Sequence, residues 1–346
     1  MKSWHFWIGV LISGACIGFV VSQVKDWGVF GRSFLEADYW LLIPIISSYF
    51  VIMLVRSWRW RYILNQCGHA GLGNTYQAIL ICYMGNNIFP LRAGEFMRVF
   101  LIGKREPSLS YSAALATVVV ERLFDFVVML LFLAVVLLTI PFPEKYRNLE
   151  QLVHDSGAGT LAGAVMLFGF LFLLYARAEL MTRLIGRALF FLPLKYKERI
   201  LEALRKFTGG LTIMGRPAAL LATLGLSVLV WVVNLIPVWL SALAFGIHLS
   251  FTGSMFMLAV GAAAAAIPAT PGFFGTFHAF NQQAMVFLRG VDPAVALSFA
   301  IVLHGTYYFP MVIAGALVAW KAGYSLTRLR HDARESGDAD AELSCK

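Results

Sequence analysis

The chain has 346 residues, of which 59% are hydrophobic and only 14% charged, and its mean hydropathy is +0.74. Soluble domains carry about 25% charged residues, so this composition excludes a soluble globular protein and indicates an integral membrane protein. The net charge of +9 does not indicate a nucleic-acid partner, because the basic residues lie between apolar segments, as the positive-inside rule predicts. The cysteines and histidines show no metal-ligand spacing, so we expect no metal and no other cofactor.

Six apolar segments are long enough to cross a bilayer, which takes about 20 helical residues. They lie at about 4–24, 39–55, 112–140, 158–175, 218–245 and 294–320. The first lacks a small-x-small cleavage site, so it predicts an uncleaved helix rather than a signal peptide. Residues 56–61 (RSWRWR) are basic and aromatic, as is typical of a cytoplasmic interface, whereas the loop at 25–38 is slightly acidic. If 56–61 is cytoplasmic and 25–38 is outside, and successive spans cross the membrane in opposite directions, both termini lie in the cytoplasm.

A polar stretch at 86–98 interrupts an apolar segment. Hydrocarbon offers no water to broken backbone hydrogen bonds, so irregular polar chain at this depth requires protein or a wet cavity around it. Charges at this depth point to function. The apolar arm at 76–84 has about half the length of a spanning helix, and the arm after Gly94 is equally short. We therefore predict a re-entrant hairpin with its break around Pro90 and Gly94, entering from the cytoplasmic side.

A second Pro-x-x-x-Gly sequence, at 271–275, lies between short apolar arms at 251–267 and 277–288. The loop charges place this hairpin on the outer side. We interpret about 39–140 and 217–320 as an inverted-topology repeat, an architecture of secondary transporters in which the site lies where broken helices meet at the midplane. Because glycine and proline are common in membrane helices, chance similarity is the alternative.

The predicted fold class is an all-α polytopic membrane protein with about six spanning helices and two re-entrant helical hairpins, or eight hydrophobic segments if the hairpins span. Residues 1–327 form one transmembrane domain. Within it, the strongly basic segment 176–216 has apolar residues opposite charged ones at helical spacing. This pattern predicts two amphipathic helices that contact anionic lipids of the cytoplasmic leaflet. The charged, small-residue tail at 328–346 is expected to be disordered.

Three sequence blocks carry a family resemblance. They are NIFPLRAGEFMR at 87–98, ATVVVERLFD at 116–125 and IPATPGFFGTF at 267–277. In order and spacing they resemble the signature blocks of the flippase-like family, which is also named for the transmembrane region of lysylphosphatidylglycerol synthase. The resemblance covers nearly the whole chain. It implies a multi-pass protein of the bacterial inner membrane that moves or handles a lipid, whether a phospholipid, a polyprenyl-linked lipid or a hopanoid-type lipid.

The chain departs from the synthase members of that family in two ways. It ends soon after its last predicted span, so we expect a stand-alone member without the soluble synthase domain and without lipid aminoacylation. His278 also occupies a position where family members often have an acidic residue, which puts a carboxylate role at this position in doubt.

Candidate substrate-binding residues lie in the first break and in the 112–140 helix. Arginine suits a phosphate headgroup because its guanidinium forms bidentate, charge-assisted bonds. Glu95 is expected to pair with Arg92 or Arg122, or to carry a proton. The alternatives are a snorkelling Arg98 and a buried ion-pair network that pins the helix to the hairpin, because an unpaired buried charge is costly. The full set is Asn86, Asn87, Arg92, Glu95, Arg98, Glu121, Arg122 and Asp125.

Candidate gate residues lie in the second repeat. The two histidines among them could titrate near neutral pH, although a lone histidine in a membrane helix is more often a hydrogen-bonded helix contact. The set is Pro271, Gly272, Gly275, Thr276, His278 and His304.

The sequence leaves three functions open. The first is a lipid translocase, with a polar groove for a headgroup that the basic residues predict to be anionic and with the acyl chains in the bilayer. The second is a proton- or ion-coupled transporter of a small amphiphile, which would have a closed aqueous pathway. The third is a membrane-embedded lipid-modifying enzyme, which is the least favoured because no nucleophile elbow, P-loop or metal motif is present. We therefore expect a non-enzyme whose partner is a membrane lipid, and the sequence indicates no oligomeric state.

Overall fold

The computed structural model describes residues 4–89, 92–140, 159, 162–163, 165–166, 168–190, 194–267 and 271–323. In these ranges all regular structure is helical. The helices are α1 (Trp4–Gln23), α2 (Trp27–Glu36), α3 (Leu42–Leu64), α4 (Leu72–Ile88), α5 (Gly94–Arg105), α6 (Tyr111–Thr139), α7 (Ala178–Ala188), α8 (Leu194–Gly210), α9 (Pro217–Val233), α10 (Leu235–Ala244), α11 (Phe251–Ala266), α12 (Thr276–Arg289) and α13 (Pro293–Lys321). The predicted loop at 141–156 and the predicted tail at 328–346 lie outside the described residues, and the 158–175 segment is described only in part.

Four stretches of the described chain are long and apolar enough to cross a membrane, and a fifth is added if the bent pair α1–α2 counts as one span. The four are Tyr39–Leu64, Tyr111–Thr139, Pro217–Ala244 and Pro293–Lys321. They confirm the apolar helices predicted at 112–140, 218–245 and 294–320. The protein is therefore a multi-pass, all-helical membrane protein over the ranges that the structure describes.

The predicted interfacial cluster at 56–61 is wrong. Helix α3 does not end near residue 55 but continues to Leu64, and it carries Arg56, Arg59 and Trp60 into the protein, where all three are buried. The physical reason lies in α6, whose buried carboxylates provide partners for Arg59. A basic residue that ends an apolar segment can thus be a buried ion-pair partner instead of a membrane anchor.

The predicted acidic loop at 25–38 is also wrong, because most of it is helix α2, bent by 97° from α1. Asp26 caps this helix by accepting hydrogen bonds from the N–H groups of Gly28 and Val29, at 2.7 and 3.3 Å. The Ser33 and Ser298 hydroxyls lie 3.0 Å apart, which attaches α2 to α13.

Helices α4 and α5 form the first hairpin. Helix α4 is longer than the predicted nine-residue arm, since it begins at Leu72 and continues through Asn86 and Asn87 to Ile88. The break therefore lies after Ile88. The two helices are in close contact, because a Cβ on Gly94 would collide with the carbonyl oxygen of Cys82 in α4.

Helices α11 and α12 form the second hairpin, and their bounds confirm the arms predicted at 251–267 and 277–288. Its break contains three residues with positive φ: Gly272 at 77°, Phe273 at 60° and Gly275 at 87°. A Cβ on Gly272 would lie 3.2 Å from the carbonyl oxygen of Asn87. The second break therefore contacts the end of the first arm of the first hairpin.

The basic segment folds into two helices, α7 and α8, as predicted for 176–216. Helix α8 packs against α6, and a Cβ on Gly210 would meet the backbone of Ala113 at 2.5 Å. This close approach fixes the segment to the same helix that carries the candidate charged residues.

Candidate functional site

A cavity of about 1340 Å³ lies between the two hairpins and the long helices α3, α6 and α13. Its charged lining residues are Arg56, Arg92, Glu95, Arg122 and Asp125, and its polar neutral ones include Tyr83, Asn86, Asn234, Asn281, Gln283, His304 and Tyr307. Hydrocarbon side chains make up most of the remaining wall, including Phe126, Met129, Leu130, Leu133, Val136, Leu258 and Val260.

The lining changes character along a single helix. On α6 it passes from Arg122 and Asp125 to Phe126, Met129 and then Val136. At 1.5 Å per residue this distance along the helix is about 21 Å. The lining is therefore charged next to the middle of α6 and apolar towards its C-terminal end.

Three arginines and three carboxylates form an ion-pair network beside the charged part of the cavity; four of the six are buried, and Glu95 and Arg122 are partly exposed to the cavity. Its members are Arg59, Glu95, Arg98, Glu121, Arg122 and Asp125. The formal charges of these six residues cancel. Five of the six were predicted as candidate site residues, and the structure brings them together.

Glu121 joins three helices within this network. Its Oε1 lies 2.5 Å from Nη2 of Arg59 in α3, and its Oε2 accepts a hydrogen bond from Nη1 of Arg98 in α5 at 2.8 Å. Glu121 and both arginines are fully buried and do not line the cavity. Breaking a buried pair by removing one partner typically costs about 3–5 kcal/mol, so Glu121 pins the first hairpin to α3 and α6.

Asp125 accepts bonds on both carboxylate oxygens. Its Oδ1 accepts from Nη1 of Arg59 at 2.6 Å and from the indole N–H of Trp231 at 3.0 Å. Its Oδ2 lies 3.3 Å from Nη1 of Arg122 and 3.4 Å from Nη2 of Arg59. A carboxylate offers about four lone-pair sites, so Asp125 has no acceptor capacity left for a further cation.

Arg98 is fully buried, so the snorkelling alternative is wrong for it. Its Nη2 lies 2.7 Å from Oε2 of Glu95, and its guanidinium carbon lies 4.7 Å from the ring centroid of Trp60. The Trp60 indole in turn donates to the Thr117 hydroxyl at 3.0 Å. These contacts fix the side chain of Arg98, so that α5 of the first hairpin is attached to the network.

The expected pairing of Glu95 with Arg122 is found at 3.6 Å, whereas the alternative pairing with Arg92 is not. Arg92 lies in the first break with φ at 52°, is exposed to the cavity, and donates to the carbonyl oxygen of Ala265 at 3.2 Å. The two breaks are thus joined by a hydrogen bond from Arg92 to the end of α11.

The two predicted asparagines have different surroundings. Asn86 lines the cavity, and its amide nitrogen lies 3.4 Å from Oε1 of Glu95. Asn87 is buried, and neither its side-chain nitrogen nor its oxygen has a hydrogen-bond partner among the described residues. A buried, unsatisfied amide is costly, and this one lies beside the second break.

Two of the predicted gate residues, His278 and His304, form a histidine pair. Nε2 of His278 and Nδ1 of His304 are 3.4 Å apart, and the rings of Phe274 and Phe277 pack against both histidines. Thr276 caps the break by donating to the carbonyl oxygen of Phe273 at 3.2 Å. His304 lines the large cavity, whereas His278 lines a smaller apolar pocket between α1, α2 and α13.

Sequence reasoning missed Arg59 and Arg56. Glu121 and Asp125 are four residues apart and share a helix face, whereas Arg122 is offset, so these carboxylates required further cations from another helix. This need for cations could have predicted the missing partners, because the basic residues that follow the 39–55 segment could supply them. No group of three or more histidine, cysteine, aspartate or glutamate side chains in the described ranges could hold a metal ion.

Comparison with known proteins places this site in context. A family model described as "Lysylphosphatidylglycerol synthase TM region" matches residues 6–315. "Glycosyltransferase AglD" of Haloferax volcanii is 26% identical over 335 residues, which cover 89% of this chain but 53% of that protein, so the chain spans about half the length of that relative. "UPF0104 membrane protein PH1989" of Pyrococcus horikoshii is 22% identical over 298 residues, covering 82% of this chain and 88% of that protein. No solved structure matches the chain significantly.

Proposed function

The chain belongs to the lysylphosphatidylglycerol synthase transmembrane-region family, and on this premise we propose that it is a lipid translocase. It takes a lipid with an anionic headgroup into the cavity and moves it between the leaflets of the inner membrane. The proposal assigns no chemical step to the chain.

The observation that carries this proposal is the polarity of the cavity. Its volume of about 1340 Å³ exceeds the roughly 300–1,000 Å³ of a typical small-molecule site. A charged end beside Arg122 continues into a hydrocarbon wall along α6, which matches a lipid with a polar head and acyl chains. A hydrocarbon wall cannot solvate an ion or a hydrophilic solute, so it favours the lipid over an aqueous pathway.

The arrangement of the breaks supports a transport cycle. Arg92 of the first break is hydrogen-bonded to α11, and Gly272 of the second break contacts Asn87 of α4. We propose that the two hairpins are an inverted-topology pair within about six spans, with both chain termini in the cytoplasm and the basic helices α7 and α8 on anionic lipids. In this arrangement the two breaks meet beside the cavity, as in transporters built from inverted repeats.

A proton-coupled transporter of a small amphiphile is the second candidate, and the histidine pair favours it. His304 lines the cavity, and its partner His278 lines the separate pocket next to α1 and α2. A proton could pass between the two compartments through these rings. An uptake of protons into proteoliposomes that is driven by a small amphiphile and lost in His278→Gln would support this candidate, and amphiphile movement with no accompanying pH change would exclude it.

Proteoliposomes containing a fluorescent anionic phospholipid test the translocase directly. We expect wild-type protein to make inner-leaflet label accessible to an external quencher faster than protein-free vesicles. Ala263→Trp fills the cavity wall from α11 and should slow this movement at least about tenfold if the acyl chains pass there. Ala218→Trp, an exposed position outside the cavity, is the matched control. Equal rates in both variants and the wild type would overturn the proposal.

A further inference from the structure

Two arginines at the cavity have no carboxylate partner in the described part of the chain. The ion-pair network matches three arginines with three carboxylates, and it leaves out Arg56 and Arg92. Both of these arginines line the cavity. An intramembrane cation without a counter-charge is expensive and marks a functional site.

Arg56 is held in position by aromatic rings. Its guanidinium carbon lies 5.4 Å from the ring centroid of Tyr83 and 5.7 Å from that of Trp231. The residue is 6% exposed, and its Nε has no hydrogen-bond partner in the described chain. The rings fix the guanidinium through cation–π contacts without using its hydrogen-bond donors.

The carboxylate of Asp125 cannot take over the role of partner for Arg56. Both of its oxygens already accept bonds from Arg59, Arg122 and Trp231. The Trp231 indole donates to Asp125 while its ring faces Arg56. The network therefore orients the aromatic rings that hold Arg56. Arg56 is near enough to Asp125 for their charges to attract each other, but it forms no direct ion pair in the described chain, and the network plus Arg56 and Arg92 keeps a net charge of +2.

The charge of the cavity lining gives the charge of the missing ligand. Beyond the neutral network, the lining contributes two positive charges, from Arg56 and Arg92. Apart from these two arginines and members of the network, the described lining contains no lysine, arginine, aspartate or glutamate. A phosphodiester headgroup with a single negative charge would neutralise one of the two arginines, whereas a terminal phosphate carries about −1.5 to −2 at pH 7.

We infer that Arg56 and Arg92 form a binding site for a lipid with a terminal phosphate, a phosphomonoester or a diphosphate, rather than for a phosphodiester lipid. This inference rests on the proposed lipid-translocase function and specifies its substrate class. Arg56, braced by Tyr83 and Trp231, is the fixed ligand of the phosphate. Arg92, in the first break and bonded to α11, brings the second charge from the junction of the two hairpins.

Binding of two matched lipids tests the inference. Dioleoyl phosphatidic acid and dioleoyl phosphatidylmethanol differ by one methyl group, which removes the second negative charge of the phosphate. Native mass spectrometry of the full-length protein in detergent at pH 8 gives the dissociation constant of each. We expect phosphatidic acid to bind at least about tenfold more tightly, as charge-assisted bonds to a second arginine require.

Variants then assign the preference to the two arginines. Arg56→Gln and Arg92→Gln should each reduce the preference for phosphatidic acid to about twofold or less, and Arg56→Lys, which keeps the charge, should retain most of it. Arg289→Gln, at an exposed position in the last turn of α12 and outside the cavity, removes the same charge and should leave the ratio unchanged. Thermal unfolding of each variant checks that it is folded.

The outcomes separate this inference from the proposed function. Equal affinity of the wild type for both lipids would overturn the terminal-phosphate site but leave an anionic-lipid translocase standing. A preference that survives both Arg56→Gln and Arg92→Gln would also overturn it. No binding of either lipid, together with no lipid movement in proteoliposomes, would overturn both. An arm with farnesyl phosphate and farnesyl diphosphate distinguishes a monoester from a diphosphate as the preferred headgroup.

Discussion

The two hairpins differ more in charge than in shape. Each consists of two helices around a short break. In the described residues the first break contains one residue with positive φ, Arg92, and the second contains three. The first hairpin contributes Arg92, Glu95 and Arg98, and it packs against the charged turns of α6. The described residues of the second hairpin contribute no charged side chain to the cavity, only small, aliphatic, aromatic and amide side chains.

We propose that this difference in charge gives the two hairpins different roles. The first hairpin is held by ion pairs, which are strong only in one geometry, so it suits a fixed headgroup site. The second is held by close backbone contacts and neutral ring contacts, such as that between His278 and His304. Neutral contacts can be exchanged with less electrostatic cost, so the second hairpin suits a moving gate.

The largest effect should come from breaking the ion-pair network. Glu121→Gln leaves Arg59 and Arg98 buried with one partner fewer each, which we expect to cost about 3–5 kcal/mol of unfolding free energy. Denaturation by sodium dodecyl sulfate in mixed micelles measures this change. Glu95→Gln, at a side chain that is 17% exposed, is the control and should cost clearly less. A loss below about 1 kcal/mol for Glu121→Gln would contradict a structural role of the network.

The next effect concerns the helix contact that closes the first hairpin. Gly94→Ala places a methyl group against the carbonyl oxygen of Cys82, and the helices must separate, at a cost of about 1–3 kcal/mol. Gly73→Ala in the same hairpin is the matched control, because nothing lies within 4 Å of its added Cβ. Melting temperatures in detergent compare the two variants. Equal melting temperatures would show that α4 and α5 are not packed this closely.

A smaller effect is expected in the second hairpin. His304→Gln removes a neutral ring contact with His278, so we expect a loss of about 0.5–1.5 kcal/mol, well below that of Glu121→Gln. His278→Gln should cost no more than His304→Gln, and the double variant should cost less than the sum because the two rings are in contact. A loss in either single variant that equals the loss in Glu121→Gln would remove the proposed contrast between the hairpins.

The sequence predicted the elements better than it predicted their partners. Helix α6 and both breaks follow from local signals, namely a long apolar run and the Pro-x-x-x-Gly pairs. The burial of the C-terminal part of α3 could not be predicted from local signals. A hydropathy plot does not distinguish a buried Arg59 from an arginine at the membrane interface. Only the carboxylates of α6, more than 60 residues further along the chain, turn it into a buried partner.

The same reasoning explains the candidate site. Its charged members were recognisable one by one because charges are rare at membrane depth. Which of them face the cavity was not recognisable, because Glu95 and Arg98 are only three residues apart. Glu95 lines the cavity and Arg98 does not. This difference depends on how α5 is rotated about its axis in the hairpin, which only the tertiary packing determines.

An effect no larger than that of His304→Gln is expected at the open end of the first hairpin, outside the spanning segments. Glu106 accepts hydrogen bonds from the Gly71 N–H at 2.8 Å and from the Asn74 amide at 2.9 Å. Burial alone would raise the pKa of this carboxyl, but the two hydrogen bonds outweigh it and lower the pKa of Glu106 below its usual value. A lowered pKa in the folded state means that the carboxylate stabilises the hairpin above its unfolded pKa of about 4.3. This stabilisation is lost as the pH falls through the lower, folded value.

Glu106→Ala should therefore cost about 1 kcal/mol at pH 7, and the difference from wild type should shrink as the medium is acidified below about pH 4. The second hairpin provides a matched control, since Ser250 caps α11 by accepting from the Gly253 N–H at 3.0 Å. Ser250→Ala should cost a similar amount, about 1 kcal/mol, at every pH because a hydroxyl does not titrate. Hydrogen exchange at the Gly71 and Gly253 amides reports each end separately. If acid leaves the Glu106→Ala difference unchanged, the first hairpin does not rely on charge at its open end, and the contrast between the hairpins is confined to the cavity.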